Sequence, residues 1–260
     1  MNLTRREFLK LGGAAVISLS FAECSFANAV NIPVLMYHDI SHQVSDPETV
    51  VPPRFAAQME WLFSAGYRTI FFGEIDTLDA ERAKRAVIIT FDDGFASFMD
   101  YALPLFQNYG FKSTINIIGN CVGGFVSGND PRLSWDECRY LARTGLVEIG
   151  CHTYGLHSWY GNQSRPNAVK VFNIKLEQDL AVFQKVYARE MGHPATILAW
   201  PYGMHDEKSI ELARQAGFSS ILNSEYGYFE KRNRQYDIPR LPVGHAVDLK
   251  VFREMIEMRS

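Results

Sequence analysis

Three short segments of this 260-residue chain carry side chains that could do chemistry together. The first is Thr90-Phe91-Asp92-Asp93-Gly94. Neighbouring carboxylates repel each other unless a cation or a shared proton joins them. Consecutive side chains point in different directions, so one can bind a metal while the other faces a substrate. A helix N-cap is the plainer use of Asp-Asp-Gly. The second segment is Cys151-His152-Thr153-Tyr154-Gly155-Leu156-His157. Two imidazoles at this spacing do not share a helix face, yet a turn through Gly155 can bring both to one ion. Joined to Asp93, they make an Asp-His-His set that leaves coordination positions for water and substrate. Unrelated loop histidines are the alternative. In the third, Trp200-Pro201-Tyr202-Gly203, the Pro and Gly fix the backbone so that an amide can be aimed at a developing oxyanion. An ordinary β-turn would explain the same residues.

The elements that must position these segments are legible. Ser64-Ala65-Gly66-Tyr67, Asn108-Tyr109-Gly110-Phe111, Arg143-Thr144-Gly145-Leu146 and Gln215-Ala216-Gly217-Phe218 repeat one phrase, a helix end, a Gly and the start of a strand. Between them, near-continuous apolar runs suit parallel strands covered by helices. They are Val34 to Tyr37, Val87 to Phe91, Thr114 to Ile118, Val147 to Ile149, Thr196 to Trp200 and Ser219 to Leu222. Ser134 with Glu137 forms a capping box, Asp206 opens another helix, and the longest helix is expected from about Ala168 to Glu190. Repeated βα units mean a single-domain α/β fold around a parallel sheet, either closed as a barrel or open and doubly wound. In both, ligands bind beyond the carboxyl ends of the strands, and all three chemical segments stand there.

Composition narrows the classes of function. The apolar fraction of 47% and charged fraction of 21% are those of a globular domain. A formal net charge of −3 with no basic stripe excludes a nucleic-acid partner and favours a neutral or partly cationic substrate. Residues 1–29 read as a twin-arginine-type signal peptide, with Arg5-Arg6, an apolar run from Leu11 to Phe21 and a small-x-small site at Ala27-Asn28-Ala29. That run is too short for a stable membrane span. The export machinery is then a partner, the mature domain covers residues 30–260, and the destination is the periplasm or cell envelope. Cys121, Cys138 and Cys151 remain after cleavage and show no metal or redox spacing. Three buried thiols are expected, with a Cys121–Cys138 disulfide as the alternative.

Taken in order, the three segments resemble the NodB-homology polysaccharide deacetylases, carbohydrate esterase family 4. That family shares a T-F-D-D-G segment, an H-[ST]-x-x-x-H segment and a P-Y-G segment on a distorted (β/α) barrel. The resemblance runs from about Ile32 to Phe252, and Val34-Leu35-Met36-Tyr37-His38 and Ile238-Pro239-Arg240-Leu241-Pro242-Val243 point to the branch acting on poly-β-1,6-N-acetylglucosamine. It implies a hydrolase that removes N-acetyl groups from a β-linked N-acetylglucosamine polysaccharide. By position, Asp92 would be the base, and Asp93, His152 and His157 would hold a divalent metal, usually zinc, with cobalt or nickel as alternatives. The backbone N–H of Tyr202 would serve the oxyanion. The family's arginine before P-Y-G is missing here, where Leu198-Ala199-Trp200 stands. Trp200 and Pro201 are expected on the wall of the sugar groove, with Tyr154, Trp159 and Tyr160 as a carbohydrate platform. His245 is the expected general acid, oriented by Asp248 or Asp237, and His38 is held in reserve. His42, His193 and His205 are assigned structural roles. A catalytically silent carbohydrate-binding protein and a small-amide hydrolase on the same scaffold are the rival functions.

Overall fold

The computed structural model describes residues 31–44, 46–124, 131–160, 168–230 and 236–258, without the side chains of 159–160 and 168–173. Ten strands follow one another as β1 (Asn31–Ile32), β2 (Val34–Tyr37), β3 (Arg68–Thr69), β4 (Ala86–Phe91), β5 (Ser113–Ile117), β6 (Val147–Cys151), β7 (Ile197–Ala199), β8 (Ser220–Tyr226), β9 (Phe229–Glu230) and β10 (Ile238–Pro242). Seven of them, in the order β2-β4-β5-β6-β7-β8-β10, pair in parallel, and the last returns to the first. The choice left open by the sequence is thereby decided: the sheet is a closed (β/α) barrel of seven strands. β3 pairs only with the first two residues of β4. The antiparallel ribbon of β1 and β9 was not anticipated, and it buries Ile32 and Phe229.

Strand alternation sorts the side chains into two compartments. Leu35, Tyr37, Val87, Ile89, Ile115, Ile149, Leu198 and Ile221 face outward into a core shared with the helices. Val34, Ile88, Ile197, Leu222 and Ile238 form a separate cluster inside the barrel, extended by Ile32 and Phe229 at the amino-terminal end of the strands. The same parity turns Thr90, Asn116, Glu148 and Arg240 toward the interior, so the barrel carries polar groups along its axis. The four expected helix stops hold: Gly66, Gly110, Gly145 and Gly217 all have positive φ. The capping box is present, with Ser134 N–H donating to Glu137 Oε2 at 2.7 Å. The long helix spans Ala168–Met191.

Among the described residues no helix is long and apolar enough to cross a membrane. The signal-peptide reading of residues 1–29 falls outside the described residues. Cys121, Cys138 and Cys151 are free thiols; Cys138 and Cys151 are buried and Cys121 half-buried.

Candidate active site

Only three non-glycine residues among those described take a left-handed backbone: Asp93 (φ 69°), Thr153 (φ 67°) and Tyr202 (φ 56°). Each lies in one of the three chemical segments, just past β4, β6 and β7 respectively. Such backbone costs about 1–3 kcal/mol per residue and persists only where its surroundings hold it. At Asp93 the turn separates the two carboxylates. Asp92 continues the inward face of β4, while Asp93 reaches toward the loop after β6.

There Asp93 Oδ1 stands 3.4 Å from His152 Nε2 and 3.2 Å from His157 Nε2. The two imidazole centroids are 5.0 Å apart, and the three prospective ligand atoms all lie within 4.8 Å of one another. His152 Nδ1 sits 2.9 Å from the carbonyl oxygen of Ala199. A carbonyl can only accept, so Nδ1 carries the proton and Nε2 presents a lone pair. Burial lowers the His152 pKa to about 4 against the opposing fields of Asp92 and Asp93, so the ring is neutral at pH 7. Burial disfavours the charge of Asp93 too, but the neighbouring imidazoles outweigh it and lower that carboxyl to about 2. Asp93 Oδ1 is nonetheless buried with no hydrogen-bond partner of acceptable geometry. A neutral nitrogen lone pair facing an orphaned carboxylate oxygen is repulsive unless a cation joins them. Two nitrogens and one carboxylate oxygen converging in this way fit a divalent transition-metal ion.

Asp92 is 2% exposed and fully engaged. Arg240 meets it with two prongs, Nη1 to Oδ1 at 2.9 Å and Nη2 to Oδ2 at 2.7 Å, and Asn116 Nδ2 donates to Oδ1 at 2.8 Å. Burial by itself would raise the Asp92 pKa. The Arg240 charge, aided by His152 and His38, more than reverses that and holds the carboxyl well below the usual carboxylate range. Arg240 is itself fixed, through Nε to the Asn223 carbonyl at 2.7 Å and Nη1 to Thr90 Oγ1 at 3.1 Å. Gly150, the register partner of Asn116, leaves room for that amide: a Cβ there would sit 2.3 Å from Asn116 Oδ1.

The other expected residues divide. Tyr202 is exposed, and its ring lies 5.2 Å from that of His157. His38 is half-buried, its Nε2 is 3.4 Å from Glu48 Oε2, and its charge helps to lower both Asp92 and Asp93. His245 is exposed after β10, its N–H donating to the Pro47 carbonyl at 2.8 Å and its own carbonyl accepting from Arg54. Neither aspartate expected to orient His245 is bonded to it: Asp248 caps the helix Leu249–Glu257, and Asp237 pairs with His205. Trp200 and Pro201 require correction. Trp200 is 1% exposed and stacks on His205 with ring planes 6° apart, and Pro201 is buried beneath the same turn. A buried indole has no face to offer a sugar, so neither residue walls an open groove. Tyr154 is half-buried and packs on the main core. The side chain of Trp159 lies outside the described ones.

Sequence reasoning missed Arg240 and Asn116. The available signal was a lone arginine inside the apolar run Ile238 to Val243, where strand parity demands a partner for a buried charge.

A family model described as polysaccharide deacetylase matches residues 79–221. The Bacillus subtilis protein YxkH, provisionally named a polysaccharide deacetylase, is 27% identical over 230 residues, covering 87% of this chain and 76% of its own. A Staphylococcus aureus poly-β-1,6-N-acetyl-D-glucosamine N-deacetylase is 24% identical over 90% of this chain and 80% of its own. The Escherichia coli protein of the same name is 21% identical over 85% of this chain, which spans only 38% of that longer protein. Among solved structures, a de-N-acetylase from Aggregatibacter actinomycetemcomitans superposes with a TM-score of 0.73 at 19% identity, covering 86% of this chain and 99% of that one. At that identity the likeness speaks for the barrel alone.

Proposed function

The chain belongs to the polysaccharide deacetylase family, and from that premise we propose that it is a metal-dependent N-deacetylase of a β-linked N-acetylglucosamine polysaccharide. The observation that carries this reading is the convergence of Asp93, His152 and His157 beside a buried, arginine-held Asp92. The names of the Staphylococcus and Escherichia relatives favour a β-1,6-linked polymer. The twin-arginine-like leader at residues 1–29 favours work outside the cytoplasm, in the periplasm or cell envelope.

Asp93, His152 and His157 would hold the cation, zinc with cobalt or nickel as alternatives, and when bound it supplies Lewis-acid chemistry that acidifies water and polarises an amide carbonyl. Asp92 accepts the proton from the attacking water. Its grip by Arg240 and Asn116 fixes where that proton lands and keeps the carboxylate ionised at neutral pH. The backbone N–H of Tyr202 donates to the acetyl oxygen as it gains charge. The leaving nitrogen cannot depart as an anion and needs a proton. His38, half-buried just past β2 at the carboxyl end of the barrel, supplies it in this reading, with His245 as the alternative. Water and amide are thus converted to acetate and a free amine.

The test is acetate release from a panel of β-1,6- and β-1,4-linked N-acetylglucosamine polymers and oligomers, run with zinc, with cobalt and with chelator. Release that chelation abolishes and metal restores is the expected result. A metal-loaded protein that releases no acetate from any polymer would be a silent carbohydrate-binding protein. Release from His38→Ala equal to wild type, with release from His245→Ala lost, would return the acid role to His245.

A further inference from the structure

Two histidines that must meet at one ion stand five positions apart in a loop of irregular backbone, and something has to hold that loop. Its outward-facing carbonyls are taken by the loop after β5: Gly119 N–H donates to the Thr153 carbonyl at 3.0 Å and Asn120 N–H to the Tyr154 carbonyl at 2.8 Å. His152 N–H donates to the Ile117 carbonyl at 2.8 Å. The amides of the same loop turn the other way, toward the helix Ala168–Met191. From that helix a single carboxylate, Asp179, receives Tyr154 N–H on Oδ2 at 2.6 Å and Gly155 N–H on Oδ1 at 2.8 Å. Gly155 packs closely between these supports: a Cβ there would lie 3.2 Å from Asn120 Nδ2 and 3.8 Å from Asp179 Oδ1.

We propose that Asp179 is a positioning residue for the metal site, clamping the backbone between His152 and His157 so that both Nε2 atoms reach the ion held with Asp93. The proposal rests on the metal-dependent reading above. Its chemistry is specific. A carboxylate offers acceptors on both oxygens and no donor, which matches successive amide N–H groups. The isosteric amide of Asn would turn one oxygen into an NH2 donor facing another N–H. Hydrogen bonds from N–H groups to an ionised acceptor are the stronger kind, and the left-handed Thr153 next to the clamp supplies the backbone strain it must hold down. Groups that orient metal ligands from behind commonly change metal affinity by about ten- to a hundred-fold when altered.

The test measures zinc and cobalt binding to the whole chain, by calorimetry and by the visible spectrum of the cobalt form, for wild type, Asp179→Asn and His152→Ala. Asp179→Asn is expected to stay folded by circular dichroism, to bind either ion about ten- to a hundred-fold more weakly, and to show an altered cobalt spectrum. A purely structural role would lower the melting temperature of the metal-free protein and leave affinity and spectrum unchanged. That result would overturn the proposal. Wild type that binds no more metal than His152→Ala would instead overturn the metal site itself, a distinguishable failure. Should Asp179→Asn fail to fold, Asp179→Glu keeps the charge and displaces both acceptor oxygens from the loop amides by one methylene. Weaker cobalt binding then supports the proposal, and binding equal to wild type refutes it.

Discussion

The two ends of the barrel each carry an inward-facing carboxyl, and the protein treats them in opposite ways. At the mouth, Asp92 meets a guanidinium, an amide and nearby imidazoles, and its pKa is driven down despite complete burial. At the floor, Glu148 lies on β6 beside a cavity of about 310 Å³, lined also by Tyr187 and His193. Burial, reinforced by the charge of Glu74, raises its pKa to about 7, and its Oε2 has no hydrogen-bond partner. Burial acts on both groups in the same direction. The difference is the partner, which keeps one carboxyl ionised and lets the other take up a proton near neutrality.

That contrast can be broken from the mouth first. Asp92→Asn removes the proton acceptor without changing shape, and acetate release is expected to fall about a hundred- to ten-thousand-fold. Zinc content by metal analysis should stay at the wild-type level. Arg240→Met leaves a buried anion unpaired and should cost about 3–5 kcal/mol in urea unfolding. The wild-type pair also has a pH signature. Because the folded pKa of Asp92 is depressed, its stabilisation is present above the unfolded carboxyl range and is lost as pH falls toward the folded value. In Arg240→Met that acid-side loss should disappear, and in any residual activity the acid limb should move to higher pH.

The floor sharpens the comparison with the opposite sign. Glu148 has a raised folded pKa, so its share of stability is complete below the unfolded value of 4.5 and declines as pH rises through about 7. Glu148→Gln should therefore unfold like wild type near pH 4 and be more stable by about 1–3 kcal/mol at pH 8. Denaturant midpoints at the two pH values check this, and equal midpoints at pH 8 would remove the contrast. The smallest effect belongs to Trp200, whose buried Nε1 has no hydrogen-bond partner. Trp200→Phe discards that orphaned donor along with some packing, and the two losses should nearly offset, within about 1 kcal/mol. Acetate release from polymer should hold at the wild-type rate, as a residue with no face on the groove requires.

The parts of this molecule legible in its sequence are those governed by neighbours in the chain. Helix stops at Gly66 or Gly217, the box at Ser134 and Glu137, and the strand runs ending at Asp92 and His152 follow from local backbone and from period-two burial. The convergence of Asp93, His152 and His157 was legible because ligand chemistry restricts residue type. Arg240 was not, although its partner is the expected base. It lies 148 positions from Asp92, on a strand whose two prolines disguise it and whose register shifts between Ile238 and Arg240. Trp200 was misread for a related reason. Residue type says that an indole is large and flat, but only tertiary packing says that His205 covers its face.

Closure of the barrel by β10 has a temporal meaning as well as a spatial one. β4, which leads into Asp92, is made before β10, which brings the guanidinium of Arg240 and seals the ring against β2. Until it docks, Asp92 lacks its guanidinium partner and the sheet keeps an open edge. The charge pair at the mouth and the closed ring therefore form together, and a chain cut short before Ile238 would lack both.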